Sequence, residues 1–186
     1  MTSIFRKVYL ILGLFCITSL SSYGQIWLGK NTNVKIFSTS PIEDIEAVSS
    51  TATIAFNEKS GKILVKVLIR SFKFKSGLMQ DHFNENYMES DKYPTADFDG
   101  VIQNFPDLSV ENTYKIQMKG TFTIHGVKKD VELPAIIVVS KDKIEGKANF
   151  KIKCIDYNIE IPKLVVKNIA EEIDISILTE FKPYKK

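Results

Sequence analysis

Cysteine, arginine, histidine and long apolar runs are all scarce in this 186-residue chain, and each scarcity excludes something. Two cysteines, Cys16 and Cys154, cannot build a disulfide-stapled scaffold, which needs several bridges. Only Arg6 and Arg70 are arginine; the rest of the 25 basic residues are lysine, set against 22 acidic ones. A nucleic-acid reader shows a stronger basic bias and more arginine, because guanidinium grips phosphate and guanine with paired hydrogen bonds. Nucleic acid is therefore not an expected partner. The two histidines, His82 and His125, have no second His or Cys near them in the sequence. A metal site normally needs three or four ligands, so neither a metal nor another cofactor is expected. No G-x-S-x-G elbow, G-x-x-x-x-G-K-[ST] loop or H-E-x-x-H helix occurs.

Apolar residues make up 44% of the chain and aromatics 11%, enough to bury a sizeable core in one domain. The first 24 residues read as a secretory signal peptide. Arg6 and Lys7 form a basic start, residues 8–20 an uncharged apolar run, and Ser22 and Gly24 small residues at a cleavage site. The run is short of the about 20 apolar residues that a membrane span needs. Cleavage after Gly24 leaves 25–186 as the domain, with Cys154 as its one thiol and no stable membrane insertion. The expected location is periplasmic or extracellular.

From about residue 34 onward, period 2 dominates. Tyr114, Ile116, Met118, Gly120, Phe122 and Ile124 alternate with Lys115, Gln117, Lys119, Thr121 and Thr123. That pattern puts one face in a core and the other in water. Ile144, Gly146, Ala148, Phe150, Ile152 and Cys154 repeat it, as do Ile169, Ile173, Ile175, Ile177 and Phe181, with Glu171 breaking the last face near its start. Further strands are predicted over 34–40, 46–57, 62–74, 95–104 and 127–139. Apolar parity shifts within 62–74, where a bulge or an edge of the fold would account for it. Turn signals at 57–61, 125–126 and 140–143 separate the strands. Most links are too short for crossover helices, so the order is antiparallel. Eight such strands with one apolar face fit a closed barrel or a sandwich.

Residues 76–94 break the alternation. Leu78, Met79, Phe83, Tyr87 and Met88 fit a 3.6 period over a short helix or two helical turns, stopped at Tyr93-Pro94. This helical segment falls between the third and fourth predicted strands. The run M-Q-D-H-F-N-E-N-Y-M-E-S over 79–90, with K-Y-P-T-A-D-F over 92–98, resembles the YceI-like, polyisoprenoid-binding family. G-T-F-T-I-H-G-V-K-K over 120–129 resembles the same family's G-x-L-T-I-H-G-V-T-K strand and turn. The resemblance implies an all-β, eight-stranded antiparallel, lipocalin-like barrel, exported in bacteria and without a conserved catalytic activity. It also implies a long isoprenoid chain, or a similar lipid, held in an apolar tunnel.

Strand parity selects Phe98, Met118, Phe122, Phe150, Ile152, Ile173, Ile175 and Ile177 as the tunnel wall. Under the family picture Met79, Phe83 and Tyr87 line its mouth. The small inward residues Gly120, Gly146 and Ala148 are expected to leave volume beside Phe122, Phe150 and Met118. From the residues alone, the same faces fit a secreted interaction module with a packed core. A third reading is a small barrel enzyme acting on a lipid-like substrate, with His82 and Asp81 or Glu85 as acid–base groups. His82 otherwise serves as a helix cap, or hydrogen-bonds a polar head group. Cys154 reads as a small buried hydrophobe. Lys143, Lys147, Lys151 and Lys153, interrupted by Glu145, read as a solvated strand face.

Overall fold

The computed structural model describes residues 24–39, 44–160 and 172–184. The predicted leader up to residue 23 lies outside them, as do residue 40 and residues 169–171 of the first and last predicted strands.

Among the described residues nine strands follow in order: β1 (Ile26–Ser38), β2 (Ile45–Asn57), β3 (Lys62–Leu68), β4 (Lys73–Phe74), β5 (Thr95–Gln103), β6 (Asn112–Ile124), β7 (Val127–Ser140), β8 (Lys143–Lys153) and β9 (Glu172–Pro183). A short helix, α1 (Gly77–His82), stands between β4 and β5. Eight strands close into an antiparallel barrel, running β1–β2–β3–β5–β6–β7–β8–β9 and back to β1. The ninth, β4, adds two residues opposite Ala47 and Val48 of β2.

Local chemistry explains the strands. β6 and β7 are joined by a two-residue turn in which His125 and Gly126 both have positive φ (51° and 74°). Paired left-handed residues match the twist of the flanking strands. β1 starts at Ile26, well before the predicted residue 34. The reason is a double irregularity in its pairing with β2, between Gly29 and Thr32 and between Thr32 and Val34. Asn31 sits there at φ 55°. The bulge flips which residues face inward, from Trp27 and Gly29 to Thr32 and Val34, so strict alternation misses the strand's first half.

The predicted strand over 62–74 is broken by a 3₁₀ turn, Ile69–Ser71. Ile69 and Phe72 are both buried, three residues apart, which is the spacing of that turn. The parity shift in the sequence marks this break.

The two ends of the barrel differ. At the end where β1 begins and β9 finishes, Phe56 is surrounded by rings. Its centroid lies 4.8 Å from Phe181, 5.5 Å from Phe105 and 6.2 Å from Trp27. Residues 104–111 cover this end: Leu108 is buried, and Tyr114 Oη donates to the Asp107 and Val110 carbonyls at 3.0 and 3.1 Å. The opposite end carries α1, a π-helical turn (Phe83–Tyr87) and a 3₁₀ turn (Cys154–Tyr157).

Candidate ligand-binding interior

Several inward-facing apolar side chains toward the α1 end are only half-buried. On β8, β9 and β1 these are Phe150, Ile152, Ile173, Ile177 and Ile36. They are neighbours across the sheet, because Ile152 faces Ile173 and Phe150 faces Ile175, which in turn faces Ile36. The strip continues over Ala47 to Phe74, which pairs with it. Phe83 lies 4.9 Å from Phe74 and 5.8 Å from Phe72, ring to ring. The strip alternates half-covered side chains with the buried Ile175 and Ala47 and runs from β8 to the capping segment. At the far end the inward residues Phe56, Ile63, Ile102, Ile137, Ile144 and Phe181 are buried. Burial of the inward side chains is thus more complete at one end than at the other.

The sequence-selected wall residues divide accordingly. Phe98, Met118, Phe122 and Ile175 are buried in the core. Phe150, Ile152, Ile173 and Ile177 form the half-covered wall. In the cap, Phe83 and Tyr87 pack on the core, whereas Met79 is half-buried without joining it. Burial lifts the Tyr87 phenol above its ordinary range. Parity reasoning did not select Ile36, although it shares a face with Val34 inside a predicted strand. Phe74 was hidden by the 3₁₀ break.

The expectation of free volume over the inward glycines is corrected. A Cβ on Gly146 would stand 2.7 Å from Phe181 Cε2, so that ring already fills the space. Gly120 lies opposite Gly100, and a Cβ there would collide with the Asp99 carbonyl and Gly100 Cα. These glycines let strands and rings approach closely; they do not hollow the barrel.

Two polar ties hold the α1 end together. His125 Nε2 lies 2.9 Å from Glu89 Oε2, and Nδ1 lies 3.2 Å from the Tyr157 carbonyl. The Tyr93 ring packs against the imidazole, with centroids 4.5 Å apart. The β6–β7 turn is thereby fastened to both capping segments. Lys129, opposite Phe122 at an inward position of β7, bonds Asp156 at 2.8 Å. Tyr157, buried against Phe122, has its phenol pushed up, chiefly by burial and then by Asp156.

A family model, that of the YceI-like domain, matches residues 30–181. The chain belongs to the YceI-like domain family. Its barrel is similar to a polyisoprenoid binding domain from Saccharophagus degradans implicated in plant cell wall breakdown. That likeness has 12% identity and a TM-score of 0.70 over 86% of this chain and 98% of the other. It is similar to Burkholderia cenocepacia BcnA at 17% identity and TM-score 0.67, over 80% and 95%. It is also similar to a Campylobacter jejuni YceI protein at 27% identity and TM-score 0.56, over 73% and 81%. No curated protein matches.

Other features of the YceI-like barrel take their places around this interior. Ser76, not His82, caps α1: its side chain accepts from Met79 N–H at 3.4 Å. Asp81, His82 and Glu85 are exposed. Cys154 is buried, and burial pushes its thiol up to about 11. The β8 lysines sit on a mixed-charge outer face, with Lys143 3.1 Å from Glu145 and Lys151 2.9 Å from Asp174. A hollow of about 480 Å³ beside them is lined by Lys35, Phe37, Asn149 and Lys151 together with Phe150 and Ile175 of the sequence-selected wall. Among the described residues no three His, Cys, Asp or Glu side chains gather around a metal position, and no helix is long and apolar enough to cross a membrane.

Proposed function

We propose that the protein is an exported, non-catalytic carrier or sequestering protein that holds a long apolar chain, of the polyisoprenoid class, inside the barrel. The observation that carries this reading is the group of half-covered inward apolar side chains, among them Phe150, Ile152, Ile173, Ile36 and Phe83, gathered toward one end of a barrel whose other end is packed with rings. An apolar chain entering there displaces water from the strip, and each buried CH₂ contributes about 0.8 kcal/mol. Affinity then grows with chain length without polar contacts. The similarity to a polyisoprenoid binding domain supports the ligand class, and the basic start, apolar run and Gly24 site support export.

A packed interaction module is the second reading. The filled space over Gly146 and the close approach at Gly120 favour it. Mass spectrometry separates the two. The mature chain, expressed in a bacterial periplasm and purified without detergent, should carry a mass under native conditions that is lost on denaturation and extracts as an amphiphile. Ile173→Asp, at the half-covered wall, should keep the circular dichroism of the wild type and lose that mass. A bare wild type that also refuses long isoprenoids on titration would overturn the carrier reading in favour of the packed module.

A further inference from the structure

The barrel wall is split between β7 and β8 toward the α1 end. β7 pairs with β6 from Val127 to Val139, and β8 pairs with β9 down to Lys153. Between themselves the two strands pair only where Ala135–Ser140 faces Lys143–Ala148. Beyond that point residues 127–134 of β7 and 149–153 of β8 have no ladder partner in each other. Pro134 stands where the pairing stops, and it has no N–H with which to continue a ladder. The split is crossed by the 3₁₀ turn that follows β8. Asp156 bonds Lys129 at 2.8 Å, and the Tyr157 carbonyl meets His125 at 3.2 Å. The inward side chains of the two margins include the half-covered Val131, Phe150 and Ile152. The result is a window in the side of the barrel, apolar within and bridged by an ion pair.

Lys129 is the unusual residue of this window. Among the described strands it is the only charged side chain at an inward position. A charge set against an apolar wall is costly unless it is paired or solvated. Lys129 is both: beside its bond to Asp156, its side chain is 40% exposed and that of Asp156 47%. It lies opposite Phe122, whose ring meets the half-covered Phe150 at 5.9 Å. A chain laid along Phe150 and Ile152 therefore has its polar end beside Lys129. An ammonium carries three donors and no acceptor, and Asp156 takes one of them. The remaining N–H groups suit an oxygen acceptor. A cationic head group is repelled, and an anion meets the Asp156 carboxylate that already balances Lys129. We propose that Lys129 anchors the polar end of the bound chain at the β7–β8 window, through an uncharged carbonyl oxygen. This rests on the carrier reading and names the head group that the carrier selects.

The test uses one saturated isoprenoid skeleton with different ends: pristane, a hydrocarbon; phytone, the corresponding methyl ketone; and pristanic acid, a carboxylate. Each displaces a fluorescent prenyl reporter from the delipidated mature chain. Lys129→Met keeps the apolar stem and removes the ammonium. It should weaken phytone about tenfold, the worth of a hydrogen bond to a charged group, and leave pristane within about twofold. Asp156→Ala breaks the same bridge but keeps the ammonium, so phytone should stay within about twofold of the wild type. Equal weakening of phytone by both variants would mean that the pair only fastens the wall. Phytone unchanged by Lys129→Met would place the head group elsewhere, and a larger loss for pristanic acid than for phytone would make this an anion site. Each of these overturns the carbonyl anchor, while pristane binding leaves the carrier reading standing. A wild type that takes up neither the reporter nor any of the probes removes the carrier reading, and the anchor with it.

Discussion

Truncating one ring at each end of the barrel should give opposite profiles of stability and binding. Phe56 is 2% exposed and packed among Trp27, Phe105 and Phe181. Phe56→Ala removes a fully buried ring and leaves a hole that the β-barrel frame cannot close, a change worth about 3–5 kcal/mol. For a domain of this size each kcal/mol lowers the melting temperature by about 2–4 °C, so the loss is roughly 6–20 °C. Phe150 is half-buried, with its ring edge-to-face against Phe122 at 5.9 Å. Solvent already reaches it, so Phe150→Ala forfeits part of a transfer term and opens little new cavity, about 1–2 kcal/mol. The melting temperature then falls by roughly 2–8 °C. Ligand affinity should reverse the order, with Phe150→Ala weakening isoprenoid binding several-fold and Phe56→Ala sparing it in whatever fraction is folded. The assay is thermal circular dichroism on protein delipidated by unfolding and refolding, followed by titration with geranylgeraniol. If the two variants melt together in the ligand-free state, the α1 end is as tightly packed as the other, and the proposed entry is wrong.

Two further outcomes follow from the turn at 125–126 and from the buried thiol. Gly126→Ala places a Cβ 2.6 Å from Tyr93 Cε1 at a φ of +74°, adding left-handed strain to overpacking. The cost is about 2–4 kcal/mol and a melting loss of roughly 4–16 °C. Gly77→Ala, with nothing within 4 Å, should melt like the wild type. Equal melts for both would show that the turn does not fasten the cap. Cys154, whose thiol is raised from 9.0 to about 11, should resist iodoacetamide in the folded protein at pH 8. Since the folded state holds the proton more tightly, this group's stabilisation is full below pH 9 and is lost as pH rises through about 11. Labelling at the unfolded rate at pH 8 would contradict its burial.

Where strands are regular, the sequence carries the fold almost unaided. The alternation from Tyr114 to Ile124 matches the burial of β6, and the wall residues of β8 and β9 follow from the same period. What it concealed are the places where backbone geometry overrides parity. Asn31 in the left-handed region hid the start of β1, and the turn at 69–71 turned one predicted strand into two. Lys129 escaped notice because a charge at an inward position looks like an error until Asp156 is brought to it by a turn distant in sequence. The glycines were misjudged for a related reason. A missing side chain signals either a hollow or a close approach, and only the position of the Phe181 ring decides which.

The barrel's seam runs between its earliest and latest strands, where Ile36 of β1 lies opposite Ile175 of β9. Synthesis proceeds from the first to the last, so the wall stays an open trough until β9 arrives. Through that interval the outer margins of β1 and β8 are unpaired and invite pairing with other chains. Zipping the seam is also a long-range event, and such contacts form slowly. If the proposed carrier function holds, a lipid present during that interval would be wrapped by the closing trough without passing the cap. Under the proposed function, lipid acquired at birth and lipid exchanged afterwards would be governed by different parts of one molecule, the first by the seam and the second by the helical cap.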